Sequence, residues 1–150
     1  LEPEPQRMSR AEFDAMTGEK VSDRDLKRLA DLELIEIEDE SILLLVPEVV
    51  RPGIAALSIG LSSNTVISIA LAQRQHLRNI AADTVRRVSE ELVQPYLNAG
   101  LPEEETLEIL RKVEAMIPIA SQSVLGQYKS ELRRAIETEI VDKLQDLTKN

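Results

Sequence analysis

Apolar side chains recur every three or four residues along two long stretches of the chain, residues 62–95 and 116–147. This spacing puts them on one face of an α-helix. Both stretches far exceed the average globular helix of about 11–12 residues. The pattern therefore predicts long amphipathic helices with more apolar surface than a chain of this size readily covers. The second stretch has the more regular face: Val124, Tyr128, Leu132, Ile136, Ile140 and Leu144, with Leu125, Ala135 and Leu147 alongside.

The N-terminal part has a different pattern, with short elements separated by polar turns. Residues 9–12 (Ser-Arg-Ala-Glu) have the spacing of a capping box, and Ser22 precedes a second amphipathic segment. Residues 34–38 then alternate apolar and acidic side chains, and residues 42–46 are apolar. Two such runs around a short acidic turn predict a β-hairpin. We expect residues 9–46 to form a helix-helix-hairpin unit of winged-helix type.

Proline and glycine suggest further boundaries. Residues 1–8 are rich in Pro and Glu and are predicted to be the end of a linker. Pro47 opens a third helix, which Pro52 is expected to kink or split and which Gly60 ends. Ser62 is the expected N-cap of the long helix that follows.

Three further prolines divide the remaining sequence. Pro95 is expected to stop the long helix, Pro102 to start the next helix, and Pro118 to kink or break it. Residues 47–147 are thus predicted to form a bundle of long helices with a regulatory and dimerising role. The fold class is mainly α, with a small winged-helix-like unit followed by that bundle.

The composition narrows the range of possible functions. The chain has no Cys and one His, so a metal, haem or thiolate site is not expected. No Ser-His-acid arrangement, glycine-rich phosphate loop or HExxH motif occurs, so we expect neither an enzyme nor a bound cofactor. No apolar run approaches about 18 residues, and no signal peptide opens the chain, which predicts a cytoplasmic protein without a membrane partner.

Charge argues against nucleic acid as a direct partner. The net charge is −9, and residues 1–50 hold 6 basic and 14 acidic side chains. A DNA-binding surface needs an excess of basic groups to neutralise phosphates. The second helix, where a recognition helix would lie, combines three Asp with its basic side chains: Arg24, Lys27 and Arg28. We favour a structural role for this unit over contact with DNA, and keep direct DNA binding as a weaker alternative.

Three segments resemble one family. Residues 29–70 (LADLELIEIEDESILLLVPEVVRPGIAALSIGLSSNTVISIA), 93–105 (VQPYLNAGLPEEE) and 130–140 (SELRRAIETEI) are similar to long MerR-type bacterial transcription regulators. The likeness extends over roughly residues 9–144 and rests on turns and hydrophobic patterns. Two departures stand out, because Glu33 replaces an expected Gly and residues 61–62 (Leu-Ser) replace a small apolar residue and Pro.

The resemblance implies a role for the chain. It would be the C-terminal effector-binding and dimerisation region of such a regulator, without the domain that binds promoter DNA. Homodimerisation is then expected, and DNA would be reached only through the absent domain. The cysteines of metal-sensing relatives have no counterpart here, so the signal would be a small organic molecule, a protein partner, or absent altogether.

Seven residues are the candidate ligand pocket. Two Arg could hold an anionic effector, two Tyr stand near helix breaks, and three others surround the expected break at Pro118. Simpler interpretations stay open. Arg74 and Arg78, like Arg86 and Arg87 of the same helix, could lie on a solvated face or form intramolecular ion pairs, and the Tyr and Met could fill a core. His76 is interpreted as a partly exposed polar position rather than a ligand. The candidates are Met116, Ser121, Gln122, Tyr128, Tyr96, Arg74 and Arg78.

A protein of another class remains the principal rival. The same helices could form a self-contained protein–protein interaction module with no ligand and no role at DNA. An exposed apolar groove without a central pocket would favour that alternative.

Overall fold

The computed structural model describes residues 4–100 and 103–149, and these are mainly helical, as predicted. The chain divides into two compact units, an N-terminal unit (residues 1–79) and a C-terminal unit (residues 80–150). The strands are β1 (Gln6–Ser9), β2 (Ile35–Ile37) and β3 (Ser41–Leu44). The helices are α1 (Arg10–Thr17), α2 (Asp23–Asp31), α3 (Pro47–Ser58), α4 (Ser63–Val88), α5 (Gln94–Asn98), α6 (Glu103–Ile136) and α7 (Asp142–Thr148). Two π-helical turns interrupt them, the first π-turn at Ser89–Val93 and the second at Glu137–Val141.

The small sheet contains the predicted hairpin and one strand that was not predicted. β3 lies in the centre and pairs antiparallel with β1 on one side and β2 on the other. The prediction of a linker over residues 1–8 is therefore wrong for residues 6–8, because Gln6–Ser9 is a strand. Met8 of this strand is buried, and Arg7 makes a bidentate ion pair with Glu38, at 2.8 and 3.0 Å. A four-residue strand with one apolar side chain has no readable alternation.

The predicted ends of the first two helices are confirmed. The Ser9 hydroxyl accepts a hydrogen bond from the Glu12 amide, and the Ser22 hydroxyl accepts one from the Asp25 amide. Gly18 follows α1 with φ +62°, in the left-handed region that glycine adopts without penalty. Glu33 also lies in this region, with φ +59°.

A closed hydrophobic core lies in the N-terminal unit. Its side chains come from the sheet, from α1 and α2, and from α3, and part of α4 packs against it. The structural boundary at residues 79 and 80 therefore differs from the predicted division at residues 46 and 47, because α3 completes this core. The buried core residues are Met8, Phe13, Val21, Leu26, Leu34, Ile35, Ile42, Leu44, Val50 and Leu57.

The internal prolines do not end helices as predicted. α3 is continuous through Pro52, and α6 runs for 34 residues through Pro118. Each proline removes one helical hydrogen bond, but Pro52 and Pro118 are exposed, so water can solvate the carbonyl each leaves unpaired. Pro95 lies at the start of α5, directly after the first π-turn, where a missing amide costs little. The prediction for Pro102 lies outside the described residues.

Candidate functional site

The structure does not gather the seven predicted pocket residues around a described cavity. Arg74 and Arg78 belong to the N-terminal unit, and the remaining five belong to the C-terminal unit. Tyr96 and Met116 are half-buried, whereas the side chains at positions 121, 122 and 128 are exposed. The ligand pocket therefore stays a prediction that rests on the sequence.

Arg74 has an intramolecular partner. Its Nη2 donates a hydrogen bond to the carbonyl oxygen of Leu32, at 2.7 Å. Leu32 is the C-cap of α2, and the last carbonyls of a helix have no partner within the helix. A guanidinium at this end also complements the negative pole of the helix dipole. Arg74 thus fastens α4 to the end of α2, in line with the simpler interpretation of the basic side chains.

A polar cluster joins α2 to the start of α4. The Ser63 hydroxyl donates to the Asp25 carboxylate at 2.5 Å, and the Arg28 guanidinium donates to the Asn64 side chain at 3.1 Å. The hydrogen bond from Ser63 is the largest cause that lowers the pKa of Asp25, followed by the contacts with Ser22 and Arg28. Arg28, a candidate DNA contact, is therefore engaged in packing within the chain.

The basic side chains farther along α4 form ion pairs. Arg86 and Arg87 both bind Asp83, at 2.6 and 2.8 Å, and Arg86 also contacts Glu90 at 3.3 Å. The hydrogen bond from Arg86 is the largest cause that lowers the pKa of Asp83. These groups are at least half exposed, so water and salt screen their attraction and the pairs contribute little to the stability of the fold. The alternative of intramolecular ion pairs holds for these two arginines.

The surroundings of Pro118 differ from the predicted open kink. The Ser121 hydroxyl donates to the carbonyl oxygen of Ile117 at 2.7 Å, one turn back in the same helix. Serine commonly satisfies its hydroxyl in this way inside helices. Ser121 and Gln122 are exposed on α6, which continues through Pro118, so the predicted break of the helix at Pro118 is wrong.

An apolar cavity of about 50 Å³ lies within the N-terminal unit. Its lining includes side chains from α1, α3 and α4, among them Phe13, Leu57, Val66 and Ala70. Pockets that bind small organic ligands usually measure about 300–1,000 Å³. A space of about 50 Å³ holds at most a small apolar group. The cavity is therefore too small to bind an organic ligand of ordinary size.

An exposed apolar stripe runs along α6, the second π-turn and α7. Residues 125–149 are all exposed, including Tyr128 at 48% and Ile136 at 42% of their maximal accessible area. Within the C-terminal unit, Ile109 is the one buried hydrophobic side chain among the described residues. We define the C-terminal stripe as Leu125, Tyr128, Leu132, Ile136, Ile140, Leu144 and Leu147.

The second π-turn keeps this stripe straight. In an ideal α-helix each residue advances by about 100°, so a step of four residues rotates the side chain by about 40°. Three such steps would carry Leu144 about 120° away from Leu132. The π-turn at Glu137–Val141 inserts one residue and removes about 100° of this drift. Ile140, Leu144 and Leu147 thus return to the face that Leu125 to Ile136 occupy.

Neither a metal centre nor a membrane span is found within residues 4–100 and 103–149. No group of three or more acidic or His side chains is arranged to hold a metal ion there. No helix in the same part of the chain has both the length and the apolarity needed to cross a bilayer. Comparisons with protein-family models, with curated proteins and with solved structures find no match for this chain.

Proposed function

We propose that this chain is the regulatory and dimerisation region of a MerR-like bacterial transcription regulator that acts in the cytoplasm. Promoter DNA would be bound by a domain outside the sequence studied. The chain itself would join two such domains at a fixed spacing and would not catalyse a reaction. A small organic effector would act by favouring one arrangement of the dimer.

The observation that carries the proposal is the C-terminal stripe. Seven large apolar side chains face solvent along one helix surface, while the N-terminal unit covers its own core. Monomeric proteins rarely leave a contiguous apolar surface of this extent exposed. A helix that cannot cover its apolar face within its own chain is well suited to self-association.

The exposed area supports the same conclusion. The chain exposes 11532 Å². A folded monomer of 16.8 kDa exposes about 7,700 Å², and two separate globules of half that mass expose about 9,200 Å² together. The excess over the larger value is about 2,300 Å² by that scaling. A standard protein–protein interface buries about 800 Å² on each partner, so the excess is sufficient for a stable dimer.

Sedimentation equilibrium across a wide concentration range tests the dimer. The expected result is a mass of two chains at micromolar concentration, and a monomer throughout would contradict the proposal. Titration of the same sample into a mixed-sequence DNA duplex tests the proposal that this chain does not itself bind DNA. Because the net charge is −9, we expect no retardation of the duplex. Tight, salt-sensitive DNA binding would instead assign the DNA contact to this chain.

A self-contained interaction module is the second candidate, favoured by the exposed stripe combined with a cavity of only about 50 Å³. A dye that fluoresces on apolar surfaces distinguishes the two candidates. A regulator dimer buries the stripe and binds little dye. A monomeric module leaves the stripe open and binds dye strongly at every protein concentration.

A further inference from the structure

The two π-turns of the chain have the same backbone geometry. Each is closed by an amide that donates to a carbonyl oxygen five residues back, from Gln94 to Ser89 in the first and from Asp142 to Glu137 in the second. Gln94 has φ −58° and ψ −41°, and Asp142 has φ −61° and ψ −41°. The two turns can therefore be compared residue by residue.

The first π-turn has a local cause. Pro95 follows Gln94, and in a continuous α-helix its ring would meet the carbonyl oxygen of Glu91, four residues before it. Proline also has no amide to donate to that oxygen. Pro95 therefore favours the wider turn over an α-helical one at residues 89–93.

The second π-turn has no such cause. Lys143 stands at the position that corresponds to Pro95, and no proline follows Pro118 in the sequence. This segment is instead rich in β-branched side chains, which crowd the preceding turn of an α-helix and lower its stability slightly. They are Ile136, Thr138, Ile140 and Val141. The wider turn is thus favoured only weakly, and an α-helical form of the segment lies close to it in free energy.

The two forms differ in the face on which the end of the stripe lies. The π-turn holds Ile140, Leu144 and Leu147 in line with the rest of the stripe. In a continuous α-helix the segment after the turn rotates by about 100°, and only the side chains from Leu125 to Ile136 keep the original face. The change shifts the hydrogen bonds of the turn by one residue and leaves the chain helical.

We propose that the second π-turn is a register switch, which lengthens or shortens the C-terminal stripe while α6 and α7 stay helical. The whole stripe is in line in the π state, and its last three side chains leave that face in the α state. A surface that covers the whole stripe favours the π state, so any condition that favours the α state weakens its binding. The inference rests on the proposed function for the covering surface, a second copy of the chain, and it adds the element that regulates the contact.

Two spin labels placed across the turn measure its register whether or not the chain dimerises. The chain has no Cys, so labels can be attached at Arg134→Cys and Asp146→Cys, two exposed positions outside the stripe. Twelve residues of continuous α-helix place the labels about 120° apart around the axis, whereas the π state places them about 20° apart. The labels are closer in the π state, and pulsed electron resonance on samples diluted with unlabelled chain measures the distance. The wild-type turn should give mainly the shorter one.

Substitutions outside the stripe should shift the equilibrium in both directions. Thr138→Ala/Val141→Ala removes two β-branched side chains and raises the α-helix propensity of the turn. The longer label distance should gain, and the dimer dissociation constant should rise about tenfold. Adding Lys143→Pro should reverse both changes, because the proline destabilises the α state and is accommodated after a π-turn, as Pro95 is. A helix-breaking residue would then restore the binding that helix-forming residues weaken.

Two controls separate the switch from general effects on the helix. Gly126→Ala raises helix propensity within α6 but outside the turn, so it should neither change the label distance nor weaken the dimer. Lys129→Pro makes the same substitution as Lys143→Pro in a part of α6 that no π-turn precedes, so it should weaken the dimer.

The label distances and the dissociation constants can fail separately. If the wild type and Thr138→Ala/Val141→Ala give the same single label distance, the turn is static and the inference is overturned. Failure of Lys143→Pro to reverse the effect of the two alanines would also contradict it. If the label distances shift as expected while every variant is monomeric by sedimentation, the register switch stands and the proposed function fails.

Discussion

The two units of this chain use Leu, Ile and Val in opposite ways. In the N-terminal unit, strands and short helices of different direction surround the apolar side chains, and Ile42 and Leu44 of the central strand have no exposed surface. In the C-terminal unit, α6 and α7 present a comparable series of side chains along one edge, and they remain exposed. A single helix can place apolar groups in line but cannot enclose them.

This comparison suggests a division of roles. The N-terminal unit obtains its stability from contacts within the chain, so it should stay folded at any protein concentration. The C-terminal stripe gains its stabilisation only when a second surface covers it, so its contribution depends on concentration.

The largest effect is expected in the closed core. Phe13 is 1% exposed and belongs to the core cluster. Phe13→Ala should lower the free energy of unfolding by about 3–5 kcal/mol, because it removes a large buried side chain and leaves a cavity. Urea unfolding followed by circular dichroism measures this loss.

Ile59→Ala is the matched control, since Ile59 is 81% exposed and its truncation should change the free energy of unfolding by less than about 0.5 kcal/mol. Equal losses for the two variants would show that the N-terminal core is not closed in solution.

The next effect concerns the stripe. Ile136→Ala should weaken the proposed dimer by about 3 kcal/mol, or roughly 150-fold in the dissociation constant, because each copy loses one large apolar side chain of the C-terminal stripe. Sedimentation equilibrium measures the change, and the circular dichroism of the N-terminal unit should be unaffected. Arg134→Ala, on the opposite face of the helix, should leave the dissociation constant within about twofold of wild type.

Several local features of the N-terminal unit could be predicted from the sequence, because each depends only on residues that are neighbours along the chain. The caps at Ser9 and Ser22, the glycine end of α1 and the hairpin each occupy a short segment with its own pattern, and all are observed. β1 was missed because its partner, β3, lies more than thirty residues away, and pairing supplies the hydrogen bonds that its own sequence does not indicate.

Whether a proline breaks a helix, and whether polar side chains form a pocket, depends on residues that are distant in the sequence. Considered by itself, Pro118 predicts a break in the helix. The long exposed helix α6 loses one hydrogen bond at this proline and keeps the others, so it continues. Arg74 could be identified as basic from the sequence, but the Leu32 carbonyl that it binds is 42 residues away. The regular apolar face of α6 and α7 could be predicted from the sequence because it depends only on a spacing of three or four residues.

Two glycines, one in each unit, should respond to alanine with opposite signs. Gly18 has φ +62°, so Gly18→Ala should lower the free energy of unfolding by about 1–2 kcal/mol through strain in the left-handed conformation. Gly126 lies inside α6, with nothing near the position of an added Cβ. Gly126→Ala should stabilise the helix by about 0.5–1 kcal/mol, because alanine loses less backbone freedom. Urea unfolding measures both, and the same sign for both variants would contradict the assigned conformations.

A pH dependence is expected at the contact between α2 and α4. The pKa of Asp25 is lowered in the folded chain, mainly by the hydrogen bond from Ser63. A carboxylate with a depressed pKa stabilises the fold above its unfolded pKa of about 3.9, and this stabilisation is lost as the pH falls through the lower folded value. Asp25→Asn should therefore cost about 1 kcal/mol at pH 7, since a neutral acceptor makes a weaker hydrogen bond.

The difference in unfolding free energy between wild type and Asp25→Asn should shrink below about pH 4, as the wild-type carboxylate takes up a proton. Urea unfolding at several pH values between neutrality and acid measures this approach. Ser63→Ala is the matched variant, because it removes the largest cause of the pKa shift and keeps the carboxylate. The difference in unfolding free energy between Ser63→Ala and the double variant Ser63→Ala/Asp25→Asn should therefore change less with pH. If the cost of Asp25→Asn stayed constant down to strongly acid pH, the carboxylate would not be responsible for holding α2 against the start of α4.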